Sequence, residues 1–388
     1  MSSDAARYIP FTRTDITDED LKTIAGIPEI REQDAPGLVR RYEQTVAGIT
    51  GFTCTAAVSS AMHALLVSLS ALNITSGDEV ILPSYAVPDI GEAVEHSGAA
   101  AVFADIDPQT LTLSPESFGS VIRSRTKAAI LFDTAGYTPD LAPILQRAAS
   151  AGIQVIHYTH FNPLRDYRSC PPGSRPHVTV FANNDPFVRG AVIATDMEKT
   201  YTTIKSLTDH GIKPVQPDKA GGPAGNWYYE ITGPGFDSAP SGIQAALSLL
   251  SLNKAGTNLE QRSRAAHTYN TLLQEAKDKI IIPWSDAADA SHTRELYILR
   301  LVKDALSLSR DEFIHALEQR GVGASVHYIP LHLHPYYAKK YRYHYNTLAN
   351  TYDAYISAVS LPLYARLSRE EAVTVAKSVL DVITRYAR

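Results

Sequence analysis

The chain has 388 residues, with 41 Asp+Glu against 36 Lys+Arg and a formal net charge of −5. That balance excludes the basic field that nucleic acid or an acidic membrane surface requires, and 44% hydrophobic with 20% charged residues is ordinary for a globular enzyme able to bury its own core. Two cysteines, Cys54 and Cys170, are too few for a disulfide framework; with no apolar leader over 1–10 and no apolar run long enough to span a bilayer, the expected compartment is cytoplasmic.

Residues 56–72 read as a helix with a polar start. Short apolar strands are predicted over 79–82, 100–103, 128–132, 153–156, 178–181 and 191–194, with a helix over 141–151 before the fourth. Such runs, bounded by turn residues and separated by helices, predict an α/β fold with a mostly parallel sheet covered on both faces. Ligands of such sheets sit outside the carboxyl ends of the strands. The residues after each strand are therefore candidates: Ser84-Tyr85, Asp105, Asp133-Thr134, His157 to His160, and Asn183-Asn184-Asp185. Residues 211–235, rich in Gly, Pro and aromatics, read as a long excursion. Helices over 241–254 and 259–276 follow. A smaller α/β unit then has a strand over 296–302, a helix over 310–319, a strand over 325–328 and a last helix from Ser368, whose Glu371 completes a capping box. The expected division is a large domain over 1–255 and a connecting helix with a small C-terminal domain over 256–388.

Several stretches occur in a familiar order. They are Ile9-Pro10-Phe11, Gly77-Asp78-Glu79-Val80-Ile81-Leu82-Pro83-Ser84, Phe103-Ala104-Asp105-Ile106-Asp107-Pro108, Gly242-Ile243-Gln244-Ala245-Ala246, Val326-His327-Tyr328-Ile329-Pro330-Leu331-His332 and Ser360-Leu361-Pro362-Leu363-Tyr364. Together they resemble the DegT/DnrJ/EryC1/StrS sugar aminotransferase family, of the fold type I pyridoxal-phosphate superfamily. The resemblance implies a large domain with a seven-stranded sheet, a smaller C-terminal α/β domain, and a homodimer with active sites at the subunit interface.

Pyridoxal phosphate is an electron sink held by several independent handles. By resemblance, the lysine that forms the imine falls on Asp185, or on a neighbour if the turn shifts by one, and no lysine lies between Lys127 and Lys199. The acidic pair after the fourth strand falls on His157 and Tyr158. The Ser-Gly-Thr phosphate turn falls on Ser60-Ala61-Met62, the ring-stacking aromatic on Val87, and the substrate-loop Asn and Arg on Asp237 and Ala239. These replacements predict a chain with no cofactor, neither pyridoxal nor pyridoxamine phosphate.

The altered pocket is titratable rather than apolar, and histidine beside carboxylates is the usual equipment for proton transfer near neutral pH. His157 and Asp185 are the expected catalytic pair, with Tyr158 and His160 as donors or orienters. Asn183, Asn184, Arg189, Tyr85, Asp237 and His332 are the expected substrate binders. No metal is expected, because His157-x-x-His160 and His332-x-His334 lack a third ligand in a known spacing. The function expected is a pyridoxal-phosphate-independent acid/base enzyme for elimination, isomerisation or cyclisation of a small sugar-like or natural-product intermediate. Two other readings stand beside it. One is a catalytically inactive partner or metabolite-binding regulator, paired with an active paralogue. The other is a pyridoxamine-phosphate-dependent dehydratase-like enzyme. The first reading expects His157→Ala and Asp185→Ala each to abolish turnover while leaving the fold intact.

Overall fold

Seven runs of five to seven residues, dominated by Ala, Val, Ile and Phe, join in one sheet: β1 (Cys54–Val58), β2 (Glu79–Pro83), β3 (Ala100–Ala104), β4 (Thr126–Phe132), β5 (Gln154–His160), β6 (Val178–Asn183) and β7 (Gly190–Thr195). The computed structural model describes residues 8–138, 141–160, 167–170, 175–183, 185, 188–214, 228–283 and 292–388. The strand order is β1-β7-β6-β5-β4-β2-β3, and only β7 runs antiparallel to its neighbours. The sheet is thus mostly parallel, and β1, β5 and β6 end at the same edge. A hairpin, β8 (Ile212–Pro214) with β9 (Tyr229–Ile231), stands apart. A second sheet joins β10 (Ile280–Ile281), β11 (Tyr297–Leu301) and β12 (Ala358–Leu361), all antiparallel.

Alternation along each strand divides the core. β5 sends Ile156 and Tyr158 to the face packed by the helices Ala61–Ala71 and Pro88–His96. Val155 faces the other side, against the helix Leu141–Ser150. The outer edge at β3 is covered rather than open: the Ala101 and Phe103 amides donate to the Tyr341 and Tyr343 hydroxyls at 3.0 and 3.2 Å, which blocks edge-to-edge pairing.

Four expectations change. The helix expected over 56–72 is β1 followed by the helix Ala61–Ala71, because Thr55 to Val58 pair with β7 and Ser60 caps the helix through its bond from the His63 amide. The two helices expected over 241–254 and 259–276 are one, Gly242–Leu273. Its polar middle is held where it looked like a break: Lys254 reaches the Asp15 carbonyl at 2.6 Å and the Asp20 carboxylate at 2.9 Å, and Asn258 bonds the Asp15 carboxylate. The boundary expected at 255 lies inside this helix. The strand expected over 325–328 is a single bridge between Ser325 and Ser360.

The opening segment ties itself to the small unit. The Ile9 amide donates to the Gly321 carbonyl at 2.8 Å, the Gly323 amide returns a bond to the Ile9 carbonyl at 2.9 Å, and Phe11 stacks on His327. This pairing carries Arg13 and Asp15 toward the carboxyl ends of the central strands.

Candidate active site

The strand β5 does not stop at Ile156; its pairing with β6 continues to His160 opposite Ala182. His157 and His160 therefore point to opposite faces of the sheet. His157 is fully buried; its Nε2 lies 2.7 Å from Asp133 Oδ1 and its Nδ1 3.2 Å from the Tyr167 hydroxyl. Thr138 donates to the other Asp133 oxygen at 2.9 Å. Burial pushes the Asp133 carboxyl up, but the charge and hydrogen bond of His157, with hydroxyl donors, outweigh it and hold the group below its usual range. This is a closed, paired cluster on the face away from the cleft. His157 does not reach a site where a substrate could meet it, which corrects its assignment as a proton-transfer group.

His160 faces the other way, into a cleft of about 260 Å³. Its Nδ1 lies 2.6 and 2.8 Å from the two carboxylate oxygens of Glu295. Asn183, Asp185, Asn258 and Arg262 share the lining, with Arg13 and Asp15 from the opening segment. The Asn183 side-chain oxygen accepts from the Asp185 amide at 3.1 Å, fixing the turn after β6. Arg262 donates from Nε and Nη2 to the Thr293 carbonyl at 3.3 and 3.1 Å, which holds the helix Gly242–Leu273 against the segment that carries Glu295. Burial lowers the Arg262 guanidinium, while Glu295 and Asp15 pull it back up. Arg13 extends to Glu371 at 3.1 Å and lies over the Tyr364 ring.

Behind His160 stands Tyr158, fully buried, its ring against Phe132 and His160 and its hydroxyl 3.5 Å from Asp89. Burial first, then Asp89 and Glu295, push this phenol well above its usual value, so it is a neutral donor. Burial raises the Asp89 carboxyl above its usual range, against the opposing pull of His160, the Tyr158 hydroxyl and Arg189.

The other expected binders divide. Asp185 and Asn183 lie in the cleft. Arg189 is exposed on the turn before β7, its field reaching Asp89. Asn184 lies outside the described residues. Three others do not belong to the cleft. Tyr85 is fully buried and donates to the His327 carbonyl. His332 is fully buried, with Nδ1 2.6 Å from Ser84 Oγ, and clamps the small unit to the end of β2. Asp237 is exposed beside Asp209. The sequence reading missed Asp89, Arg262 and Glu295. A signal existed for one of them: Ser251, Ala255, Asn258 and Arg262 recur at helical spacing and form the cleft side of one helix. Glu295 and Asp89 carry no local signal.

The chain matches the DegT/DnrJ/EryC1/StrS aminotransferase family over residues 33–380. It is 29% identical over 381 residues to the spore coat polysaccharide biosynthesis protein SpsC of Bacillus subtilis, covering 97% of each chain. Among solved structures, PseC of Helicobacter pylori, an aminotransferase of pseudoaminic acid biosynthesis, superposes with a TM-score of 0.83 at 18% identity, over 98% of this chain and 100% of that one. NtdA of Bacillus subtilis, with the cofactor PMP (pyridoxamine phosphate) bound, gives 0.84 at 23% identity, over 99% and 87%. The expectation of no cofactor is thereby corrected: an aminotransferase family, and a bound PMP in a structure of the same fold, imply a pyridoxal- or pyridoxamine-phosphate cofactor.

The residues present meet that group unevenly. The helix Ala61–Ala71 begins, with Ser60 as its cap, just beyond the end of β1 at the cleft edge of the sheet, a place of the kind that takes phosphate. No lysine is among the described residues lining the cleft, and none occurs between Lys127 and Lys199. None of the described side chains in this lining can form the imine by which the aldehyde form is covalently held. With the family matched over residues 33–380 and the seven-stranded sheet of fold type I aminotransferases in place, the chain belongs to the DegT/DnrJ/EryC1/StrS aminotransferase family.

Proposed function

We propose that the cleft is the active site of an enzyme that moves a proton on a small, sugar-like molecule, with His160 as the proton-transfer group and Glu295 as its partner. The observation that carries this reading is the His160–Glu295 pair, 2.6 Å apart, in an open polar cleft at the carboxyl ends of β5 and β6. A carboxylate bonded to one ring nitrogen orients the imidazole and stabilises its charged form, the arrangement a general base needs. On this reading the Asp185 carboxylate accepts hydrogen bonds from substrate hydroxyl groups and the Asn183 amide donates to them. Arg262, fixed by the Thr293 carbonyl, supplies positive charge where negative charge develops on a carbonyl oxygen. The reaction class is elimination or isomerisation beside a carbonyl.

The position that carries the imine-forming lysine in relatives is, on this reading, Asp185, and the lining favours pyridoxamine phosphate held without a covalent bond. That group, when bound, supplies an electron sink. The PMP seen in NtdA supports this second reading. A homodimer is the proposed assembly; the exposed Tyr229, Ile231 and Ile243 at the β8–β9 hairpin and the start of the helix Gly242–Leu273 support it, and light scattering on the purified protein tests it.

The functional test is deuterium incorporation from D2O into a keto sugar, read by NMR, with and without pyridoxamine phosphate. Wild-type protein is expected to exchange the proton beside the carbonyl. His160→Ala is expected to lose roughly a hundredfold in rate, the size of a general-base contribution. Exchange by His160→Ala at the wild-type rate would overturn the assignment.

A further inference from the structure

Strand alternation gives the sheet of the small unit two different faces. Tyr297 and Leu299 of β11 pack into the core of that unit, while Ile298 and Arg300 point the other way, and Ile298 meets Ala135 and Ala358. Pairing with β10 and β12 sets Ile281, Arg300 and Ala358 in one row. A groove of about 450 Å³ opens beside this row, walled by Ile281, Leu306 and Ile356, with Arg300 and Arg310 in its lining. Ile281 and Ile356 are each 44% exposed. The groove has no lining residue in common with the cleft.

The two guanidinium groups differ. Arg310 is satisfied: it donates to the Tyr355 and Ala358 carbonyls at 2.9 and 3.3 Å, bonds Asp311 at 2.5 Å and lies over the Tyr355 ring. Arg300 is half-buried and makes no hydrogen bond or ion pair with any described residue. Lys303, Asp304 and Asp353 also border the groove, but all three are exposed, so solvent and salt screen them. A half-buried cation without a partner is costly, a guanidinium does not shed its proton to escape that cost, and an anion in the groove offsets it. One planar fork matches one carboxylate through two parallel hydrogen bonds. A phosphate dianion would need further donors, which the apolar walls do not supply. Concavities of this size, mostly apolar with a few placed polar groups, suit small molecules. We propose that this groove binds a small carboxylic acid with an apolar body, its carboxylate on Arg300 and its body against Ile281, Leu306 and Ile356. The inference does not rest on the chemistry proposed for His160.

The probes are hexanoate and its uncharged counterpart hexanamide, titrated by saturation-transfer NMR into the full-length protein and into Arg300→Gln, Ile356→Asp and Arg13→Gln. All three substituted side chains are at least partly exposed, and circular dichroism with unligated melting curves checks that each variant folds. Wild type is expected to bind hexanoate saturably and at least about tenfold more tightly than the amide, the size of one charge-assisted hydrogen bond. Arg300→Gln is expected to bind the two probes alike, because the preference for the acid resides in that one guanidinium. Ile356→Asp, which keeps Arg300 but sets a negative charge in the wall, is expected to weaken hexanoate by roughly tenfold. Arg13→Gln, in the cleft, is expected to bind as wild type does. No binding by wild type, equal binding of acid and amide, or unchanged hexanoate binding in Ile356→Asp would overturn the proposal. So would a preference for the acid that survives in Arg300→Gln or is lost in Arg13→Gln, since either places the carboxylate elsewhere.

Discussion

Two histidine–carboxylate pairs stand three residues apart on β5, and the sheet separates them. His157 with Asp133 is sealed from water, completed by the Thr138 and Tyr167 hydroxyls. His160 with Glu295 joins strand to small unit at the wall of a cleft, the Glu295 side chain 24% exposed. The same chemical pair therefore has two different consequences. In the closed pair, every partner is supplied by the protein and loss of one leaves an uncompensated group in the core. In the open pair, water and ligands can replace a lost partner, so the cost to folding is small and the effect on function is large.

The largest expected effect breaks the closed pair. His157→Ala strands the Asp133 carboxylate and should lower stability by about 3–5 kcal/mol, as for other buried pairs that lose one partner; urea unfolding measures it. This differs from the expectation that the variant keeps its fold and loses only turnover. Because Asp133 is held below its usual range, the stability it contributes is present above its unfolded pKa of about 3.9 and is lost as pH falls through the folded value. Asp133→Asn should remove that part of the acid limb of the stability curve.

His332 gives a second closed comparison. Burial pushes its imidazole down to about 4, so folding favours the neutral ring bonded to Ser84. The unfolded chain binds the proton first, at a pKa of about 6.5; stability is therefore full above that value and declines between about pH 6.5 and 4, by on the order of 3 kcal/mol. His332→Gln should flatten this slope in unfolding curves taken across that range. An unchanged slope would mean that Ser84 does not hold the neutral ring.

The open pair should behave otherwise. His160→Ala and Glu295→Gln are each expected to cost only about 1 kcal/mol of stability, while both impair ligand binding and proton exchange. If His160→Ala destabilises as much as His157→Ala, the contrast between the two faces fails. The smallest effect concerns the tether of the opening segment. Lys254→Ala should cost about 0.5–1 kcal/mol and should increase amide hydrogen exchange around Asp15 and Asp20 without changing exchange in β5.

Much of the fold is legible in the sequence because short apolar runs between turn residues leave little choice but a covered, mostly parallel sheet. The cleft is only half legible, and for a local reason. His157-Tyr158-Thr159-His160 reads as the segment just after the strand, whereas the aromatic and β-branched residues in it continue the strand to His160. Reading four more residues as strand assigns His157 and His160 to opposite faces by alternation alone. Asp185 and Asn183 can be placed because they follow β6 directly. Glu295, Asp89 and Arg262 come from distant segments, and only the folded chain brings them to His160. His332, Tyr85 and His157 share a different lesson: buried polar residues are often hydrogen-bonded clamps between elements, and composition does not tell a clamp from a ligand-binding group.

The most direct measurement is a titration of wild-type protein and His160→Ala with pyridoxamine phosphate, followed by absorbance and unfolding temperature, with a parallel sample given pyridoxal phosphate and borohydride. The two-faced reading of β5 predicts saturable binding of the amine form by wild type, at least about tenfold weaker in His160→Ala, and no reduced lysine adduct from the aldehyde form. Equal binding by His160→Ala, or a stoichiometric adduct on one lysine, would contradict it.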